Sequence, residues 1–202
     1  MVDRRADELR AALPDLLARP EPTRVPEGLV ERQAAVTLVL SPDPGLSART
    51  EALLVLRAEV IGDPWSGHVA LPGGRLDPTD TDLLHTARRE LEEETGVLIA
   101  QGDYLGRLDD LHTRSAHLPS ISVTPFVAWL PQRTPLVENE ELAGHLWVPL
   151  PDLASPALRS NFQRKQPVPK WFETIEIGGL TIWGMTLSII DNFLARVSVE
   201  GP

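Results

Sequence analysis

Residues 82 to 97 carry the pattern that most restricts how this chain can fold. Three apolar side chains recur there at helical spacing: Leu84, Ala87 and Leu91. This period predicts a helix over residues 82 to 95 with one face packed on a sheet. Gly96 follows at the position where helices commonly end. Four N-cap candidates precede the helix: Thr79, Asp80, Thr81 and Asp82.

Three glutamates share the neighbouring face of the predicted helix. Glu90, Glu93 and Glu94 are separated by helical steps, whereas Glu92 points toward solvent. Crowded carboxylates repel one another, and raised pKa values or a bound cation relieve that repulsion. Mg²⁺ and Mn²⁺ take oxygen ligands and assist chemistry at phosphates. An isolated acidic triplet is more often a solvated charge run, so the metal-site interpretation depends on the flanking residues.

The flanking residues follow a known pattern. Gly73 and Gly74 let the main chain turn close to the carboxylates, and a free carbonyl at Gly74 could add a metal ligand. Residues 89 to 97, RELEEETGV, match R-E-U-x-E-E-x-G-U at every fixed position, where U is an aliphatic residue. On these residues the chain resembles the Nudix hydrolases.

The resemblance implies an α+β fold: an α/β/α sandwich with a central mixed sheet and a metal-binding loop-helix-loop. It also implies hydrolysis, with Mg²⁺ or Mn²⁺, of a pyrophosphate bond in a nucleoside diphosphate linked to another group. By resemblance, Glu93 and Glu94 are metal ligands, and Glu90 is a further ligand or the base that activates water. Arg89 would orient these carboxylates through a salt bridge.

The spacing between the glycine pair and Arg89 departs from the family pattern, which is G-x5-E-x7-R-E. Fourteen residues separate Gly74 from Arg89, one more than that pattern has. Thr81 therefore falls where the family glutamate should be. Asp80 and Asp82 are the candidates to replace it, and the role can also be absent.

The extra residue is shared with the coenzyme A pyrophosphatase branch of the family. The spacing from Gly73 to Glu90 and the segment IWGMT at residues 182 to 186 are similar to that branch. Its lead-in, H-x-G-Q-V-x-F-P-G-G, is matched only in part. Trp65 stands in place of the histidine and His68 in place of the glutamine.

Further site candidates lie outside the helix. Glu141 precedes Trp147 by six residues, a spacing similar to that of a later family acid, and can equally be a surface residue. Trp65, His68 and Arg75 are candidate substrate contacts because they flank the glycine pair. Aromatic rings that could stack on a base, or simply pack, are Trp65, Phe162, Trp171 and Phe172.

Composition excludes several other classes of function. The chain has 202 residues, no cysteine and a formal net charge of -10. It therefore has no thiolate metal site and lacks the cysteine used by the isomerase branch of the fold. A strongly acidic chain is not expected to bind nucleic acid, because it repels the phosphate backbone. No apolar run is long enough to span a membrane. We expect a cytoplasmic enzyme with a small-molecule diphosphate substrate, and a homodimer, as is common in the family.

The order of predicted elements fits one main domain. We expect residues 1 to 28 to form an amphipathic helix and a Pro-rich linker, and the resemblance implies a Nudix hydrolase domain over residues 29 to 200. Strands are predicted over residues 34 to 40, 52 to 60, 97 to 107, 120 to 130 and from 145. A short strand leads into the glycine pair, a hairpin covers residues 171 to 179, and an apolar helix covers residues 180 to 197.

Two alternatives stay open beside general diphosphate hydrolysis. The first is a coenzyme A or acyl-coenzyme A pyrophosphatase. The second is a non-catalytic module of the same fold that senses a nucleotide, which would have less need of the full glutamate set.

Overall fold

The computed structural model describes residues 5–26, 28–45, 49–63, 65–113, 120–164 and 169–198. These ranges contain four α-helices: α1 (Ala6–Ala18), α2 (Leu83–Thr95), α3 (Leu150–Leu153) and α4 (Gly184–Ser198). They contain eleven strands: β1 (Arg32–Pro42), β2 (Thr50–Arg57), β3 (Val69–Ala70), β4 (Gly73–Arg75), β5 (Tyr104–Arg107), β6 (Leu111–His112), β7 (Ile121–Trp129), β8 (Leu142–Pro149), β9 (Arg159–Arg164), β10 (Lys170–Ile177) and β11 (Leu180–Trp183). Short 3-10 turns cover Gln101–Asp103 and Pro156–Leu158.

The larger of two sheets is mixed. Its strands run in the order β3-β2-β1-β7-β5, with β4 also pairing β1, β6 pairing β7 and β8 pairing β2. Strand β1 is parallel to β7 and antiparallel to β2 and β4. The smaller sheet is antiparallel, in the order β11-β10-β9. The predicted central mixed sheet is therefore confirmed.

Helices cover both faces of the central sheet. Along β1, Leu38 packs in the same core as Leu13 of α1 and Phe193 of α4. The next residue, Val39, packs instead in the core that contains Leu91 of α2. Because successive strand residues point to opposite faces, α2 lies on one side of the sheet and α1 and α4 on the other. This arrangement confirms the α/β/α sandwich.

Helix α1 packs its apolar stripe into the main core. Its buried residues are Ala6, Leu9, Leu13 and Leu17. Arg196 of α4 donates hydrogen bonds to the carbonyl oxygens of Leu17, at 3.1 Å, and Pro20, at 2.6 Å. The amphipathic pattern at the start of the chain therefore serves packing within the chain itself.

Leu13→Ala is expected to lower the free energy of unfolding by about 3 kcal/mol, because the fully buried side chain would leave a cavity. The loss should appear as one shifted thermal transition in circular dichroism. Leu16→Ala is the matched control on the same helix, and it should cost clearly less because Leu16 is only half-buried. A separate early transition for α1 would contradict the shared core.

Two predicted elements were wrong in type over part of their length. The strand predicted over residues 97 to 107 is limited to Tyr104–Arg107. Val97 and Ile99 alternate inward as in a strand, but they pack beside Leu91 before the 3-10 turn and belong to no strand of the described sheets. The helix predicted over residues 180 to 197 begins only at Gly184.

The start of that last helix was mistaken because β11 is also apolar. Leu180–Trp183 pairs with β10 across a turn at Gly178 and Gly179, both with positive φ. The hairpin predicted from residue 171 is thus confirmed, and it takes up four residues assigned to the helix.

Boundaries differ elsewhere by a few residues. Strand β2 ends at Arg57 instead of residue 60. The strand predicted from residue 145 already begins at Leu142, and its predicted turn is the short helix α3. No helix in the described ranges is long and apolar enough to cross a membrane.

Candidate metal and catalytic site

The glycine pair brings the main chain of β4 against two of the glutamates of α2. The backbone N–H of Gly73 donates a hydrogen bond of 2.9 Å to Glu94 Oε2. A Cβ built on Gly74 would lie 2.4 Å from the carboxyl carbon of Glu90. Because only glycine leaves room for that carboxylate, the pair serves close approach between strand and helix.

Burial shapes the electrostatics of these glutamates. Glu94 is only 2% exposed, and burial raises its pKa to about 7, opposed by the Gly73 hydrogen bond and reinforced by the charge of Glu90. Burial also raises the pKa of Glu90, against the lowering effect of Arg89. Glu93 differs, since its side chain is 54% exposed. Glu90, Glu93 and Glu94 form what we call the glutamate face of α2. Its carboxylates are buried at Glu94, half-buried at Glu90 and exposed at Glu93.

Arg89 joins the glutamates to the loop before the helix. Its guanidinium lies 3.0 Å from Glu90 Oε1 and 2.8 Å from Glu93 Oε2. The same group donates two hydrogen bonds of 3.0 Å to the carboxylate of Asp80 and one of 3.2 Å to the carbonyl oxygen of Arg75. Arg89 therefore holds Glu90 and Glu93 in place from a fixed anchor.

The anchor is Asp80, one of the two aspartates that the spacing left open. Its side chain is fully buried and also accepts hydrogen bonds from Thr86 Oγ1, at 2.8 Å, and the Asp77 N–H, at 3.0 Å. The hydrogen bonds from Arg89 hold the pKa of Asp80 well below its ordinary value. Asp82 instead caps α2 by accepting from the His85 N–H at 2.7 Å. Of the two, Asp80 is the one that contacts Arg89.

Asp80→Asn is expected to lower the free energy of unfolding at neutral pH by about 2–3 kcal/mol, because Arg89 loses its bidentate anionic partner. Asp82→Asn is the control and should be nearly neutral, since asparagine caps helices as well as aspartate does. Both values can be measured by urea denaturation. Equal losses in the two variants would contradict the separate roles.

The pH dependence of that difference has a defined sign. A depressed folded-state pKa stabilises the protein above the unfolded value of about 3.8, and the stabilisation is lost as the pH falls. The difference in the free energy of unfolding between wild type and Asp80→Asn should therefore stay constant from pH 7 to about pH 5 and become smaller in stronger acid.

Glu141 lies on the loop before β8 and is exposed. Its negative charge contributes to the raised pKa of both Glu90 and Glu94, which places it near them. The loop is fixed by a hydrogen bond of 2.8 Å from the Ala58 N–H to the Glu141 carbonyl oxygen. The structure thus brings this predicted residue to the border of the glutamate face.

Arg57 was missed by the sequence interpretation. It ends β2 at an irregularity in the pairing with β8 and forms an ion pair of 2.9 Å with Asp63. Its positive charge also lowers the pKa of Glu94. No motif marks Arg57, and only its place at a strand end beside a loop could have suggested a role.

The three candidate substrate contacts are not gathered at one point. Arg75 is exposed and lines a cavity of about 400 Å³ with Leu76 and the segment before β1. Trp65 lies half-buried in a turn, where its backbone N–H donates a hydrogen bond of 3.0 Å to Asp63 Oδ1. His68 packs its ring on Trp183, with ring centroids 4.8 Å apart. These positions surround the glycine pair along the chain, but their side chains diverge.

The donor set fits a hard divalent cation. Three carboxylates lie on one helix face, and the pKa values of Glu90 and Glu94 are raised by burial first and by neighbouring carboxylates second. A bound cation would offset both effects. Within the described ranges, no three acidic or histidine side chains form a ready cation cage. Glu93 and Glu94 instead accept hydrogen bonds from Arg89 and Gly73.

Comparisons with known proteins identify one family. A model of the NUDIX domain matches residues 31–172. The uncharacterized Nudix hydrolase NudL of Yersinia pestis (strain Pestoides F) is 32% identical over 177 residues, covering 83% of this chain and 81% of that protein. NudL of Yersinia pseudotuberculosis serotype O:3 (strain YPIII) gives the same values.

Solved structures show the same fold. The NUDIX domain of Shewanella oneidensis NrtR, in complex with ADP ribose, has 18% identity and a TM-score of 0.57, covering 82% of this chain and 88% of its own. A NUDIX hydrolase from Alicyclobacillus acidocaldarius has 22% identity and a TM-score of 0.57, covering 85% and 98%. The chain belongs to the Nudix family and is a hydrolase of phosphorus anhydrides, the class of bond found in pyrophosphates.

Proposed function

We propose that this protein hydrolyses a pyrophosphate bond in a nucleoside diphosphate linked to another group, with Mg²⁺ or Mn²⁺ as cofactor. The observation that carries the proposal is the glutamate face of α2, with Glu90 and Glu94 set against the glycine pair. The formal net charge of -10 is consistent with it, because an acidic protein needs a local cation to attract a phosphate substrate.

The three glutamates would bind the metal in different roles. Glu93 and Glu94 would be its main ligands, with Glu90 as a further one, and the Gly74 carbonyl oxygen is an additional candidate. When bound, the ion would neutralise phosphoryl charge and make a water molecule a better nucleophile. Arg89 keeps Glu90 and Glu93 oriented through the contacts described above.

A glutamate would accept the proton of the attacking water. Glu90 and Glu141 are the two candidates. Glu90 is half-buried beside Gly74, and its raised pKa favours proton uptake. Glu141 is exposed and not engaged by Arg89, so it is freer to move toward a substrate.

Two phosphate-bearing products are expected, one from each half of the substrate. A panel of coenzyme A, ADP-ribose, NADH, diadenosine polyphosphates and nucleoside triphosphates, each with Mg²⁺ and Mn²⁺, would identify the leaving group. The solved complex of the NrtR domain with ADP ribose makes that compound a natural first member. Lack of turnover across the whole panel with either metal would contradict the proposal.

Coenzyme A or acyl-coenzyme A is the second candidate substrate. It is favoured by the spacing from Gly73 to Glu90 and by the IWGMT segment, and disfavoured by Trp65 and His68. Preferred cleavage to adenosine 3',5'-bisphosphate and phosphopantetheine would support it. The non-catalytic sensing alternative is disfavoured because the chain keeps all three glutamates of the helix, Glu90, Glu93 and Glu94. A cytoplasmic location and a homodimer stay part of the proposal.

A further inference from the structure

One face of the smaller sheet carries a cluster of rings, which we call the aromatic face. Phe162 of β9 lies directly opposite Phe172 of β10, with their rings stacked at 5.7 Å. Trp183 of β11 packs edge-on against both, at 5.0 Å and 5.5 Å. His68 completes the cluster from the loop before β3, at 4.8 Å from Trp183.

The two faces of this sheet are buried to different degrees. Ile175 and Ile182 point to the opposite face, where both are fully buried in the main core. All four members of the aromatic face are only half-buried. Rings that served packing alone would be expected to be covered as the isoleucines are, since large aromatic side chains gain most from burial.

A buried polar atom lies on the same face. Thr174 follows Phe172 by two residues and pairs with Trp183 across the ladder, so its side chain shares their face. Thr174 is fully buried, and its hydroxyl has no hydrogen-bond partner among the described residues. Such an atom costs free energy unless a partner reaches it, and a ligand with polar edges is one source of a partner.

A short segment of chain connects the aromatic face to the glutamate site. His68 leads into β3, and three residues after β3 the chain reaches Gly73, whose N–H donates a hydrogen bond to Glu94. Thr186, at the start of α4, donates a hydrogen bond of 3.0 Å from its hydroxyl to the Val69 carbonyl oxygen. This bond fixes β3 to the segment that follows Trp183. A substrate bound through its phosphates at the glycine pair would therefore have this face beside it.

We propose that the aromatic face, formed by Phe162, Phe172 and Trp183 and bordered by His68, stacks on the planar base of the nucleotide half of the substrate. The inference rests on the proposed function, which supplies a nucleotide. Base stacking suits this surface because it needs ring faces and tolerates different bases. His68, which replaces the glutamine of the coenzyme A branch, becomes part of base recognition in this chain.

Binding of AMP and of ribose 5-phosphate, each with Mg²⁺, tests the proposal by isothermal titration calorimetry. The two probes share the ribose and the phosphate, and AMP carries adenine where ribose 5-phosphate carries a hydroxyl group. The wild-type protein should bind AMP about tenfold more tightly or better, the range expected for one stacked base. Phe162→Leu and Phe172→Leu should each remove most of that preference while leaving ribose 5-phosphate binding unchanged.

Trp171→Leu is the matched control. Trp171 neighbours Phe172 on β10 but points to the other face and is 64% exposed, so the preference for AMP should survive its loss. Thermal denaturation of all variants identifies any that fail to fold, and His68→Gln then provides a replacement outside the sheet. It should weaken AMP binding severalfold.

Equal affinity of the wild-type protein for the two probes would overturn the proposal. An unchanged AMP preference in folded Phe162→Leu and Phe172→Leu variants would overturn it as well. Failure of the proposed function has a different signature, because it would abolish diphosphate turnover whatever the base preference. A failed stacking site would instead leave diphosphate turnover in place without tighter binding of AMP than of ribose 5-phosphate.

Discussion

Glu93→Gln and Glu94→Gln are each expected to reduce turnover by about 100-fold or more, because each would remove one of the negative metal ligands that we propose. The fold should survive both changes. Glu93 is mostly open to solvent, and glutamine at position 94 can still accept the Gly73 hydrogen bond. Steady-state kinetics with saturating Mg²⁺ or Mn²⁺, beside thermal denaturation, measures the two effects separately.

The burial of Glu94 adds an expectation about thermal stability. An ionised Glu94 is costly in the absence of a cation, as its pKa of about 7 indicates. Glu94→Gln should therefore unfold at a temperature equal to or above that of the metal-free wild type, while losing activity. Glu92→Gln is the control, since this residue lies exposed on the same helix and should leave turnover unchanged. Near-normal turnover in either test variant would exclude its assignment as a metal ligand.

The glutamate face could be predicted from sequence because it depends on one helix alone. Residue spacing determines which side chains share a helix face, whatever the rest of the fold does. Leu91 buries toward the sheet, Glu92 is exposed, and Glu94 lies beside the strand that carries the glycine pair. The positions of these residues along the helix were therefore enough to predict how the glutamate carboxylates are arranged.

The identity of the Arg89 partner could not be predicted, because it depends on a loop conformation. Between β4 and α2, the Thr79 N–H donates to Asp77, and the Asp77 N–H donates to Asp80. These turns direct Asp80 inward and leave Asp82 as the helix cap. Counting residues from a family pattern cannot rank two aspartates that lie two positions apart in such a loop.

Contacts between distant parts of the chain were the least predictable. Trp183 meets His68 across more than a hundred residues, and Arg57 affects Glu94 from another strand. The apolar run from residue 180 was compatible with a helix by composition, and only its pairing with β10 made it a strand. Long-range pairing therefore accounts for both the wrong element and the missed residues.

Alanine at Gly73 and at Gly74 is expected to damage different properties, although the two positions are adjacent. A Cβ on Gly73 would lie 2.3 Å from the carbonyl oxygen of Ala35 and 2.5 Å from the Cα of Val36, at a φ of +149°. These are backbone atoms of the central strand, which cannot yield without breaking the β1–β4 pairing. Gly73→Ala should lower the free energy of unfolding by about 3 kcal/mol or more.

Gly74→Ala meets a different obstacle, because its Cβ would press on the Glu90 carboxylate, the free end of a flexible side chain. The fold should tolerate the change, but displacement of Glu90 should reduce turnover by about 100-fold. Gly102→Ala is the control for both, since its Cβ meets nothing within 4 Å. Denaturation and kinetics on the three variants separate the effects. Unchanged turnover in Gly74→Ala would mean that the position of Glu90 beside the glycine pair is irrelevant to catalysis, and a stable Gly73→Ala would contradict the close contact between β4 and β1.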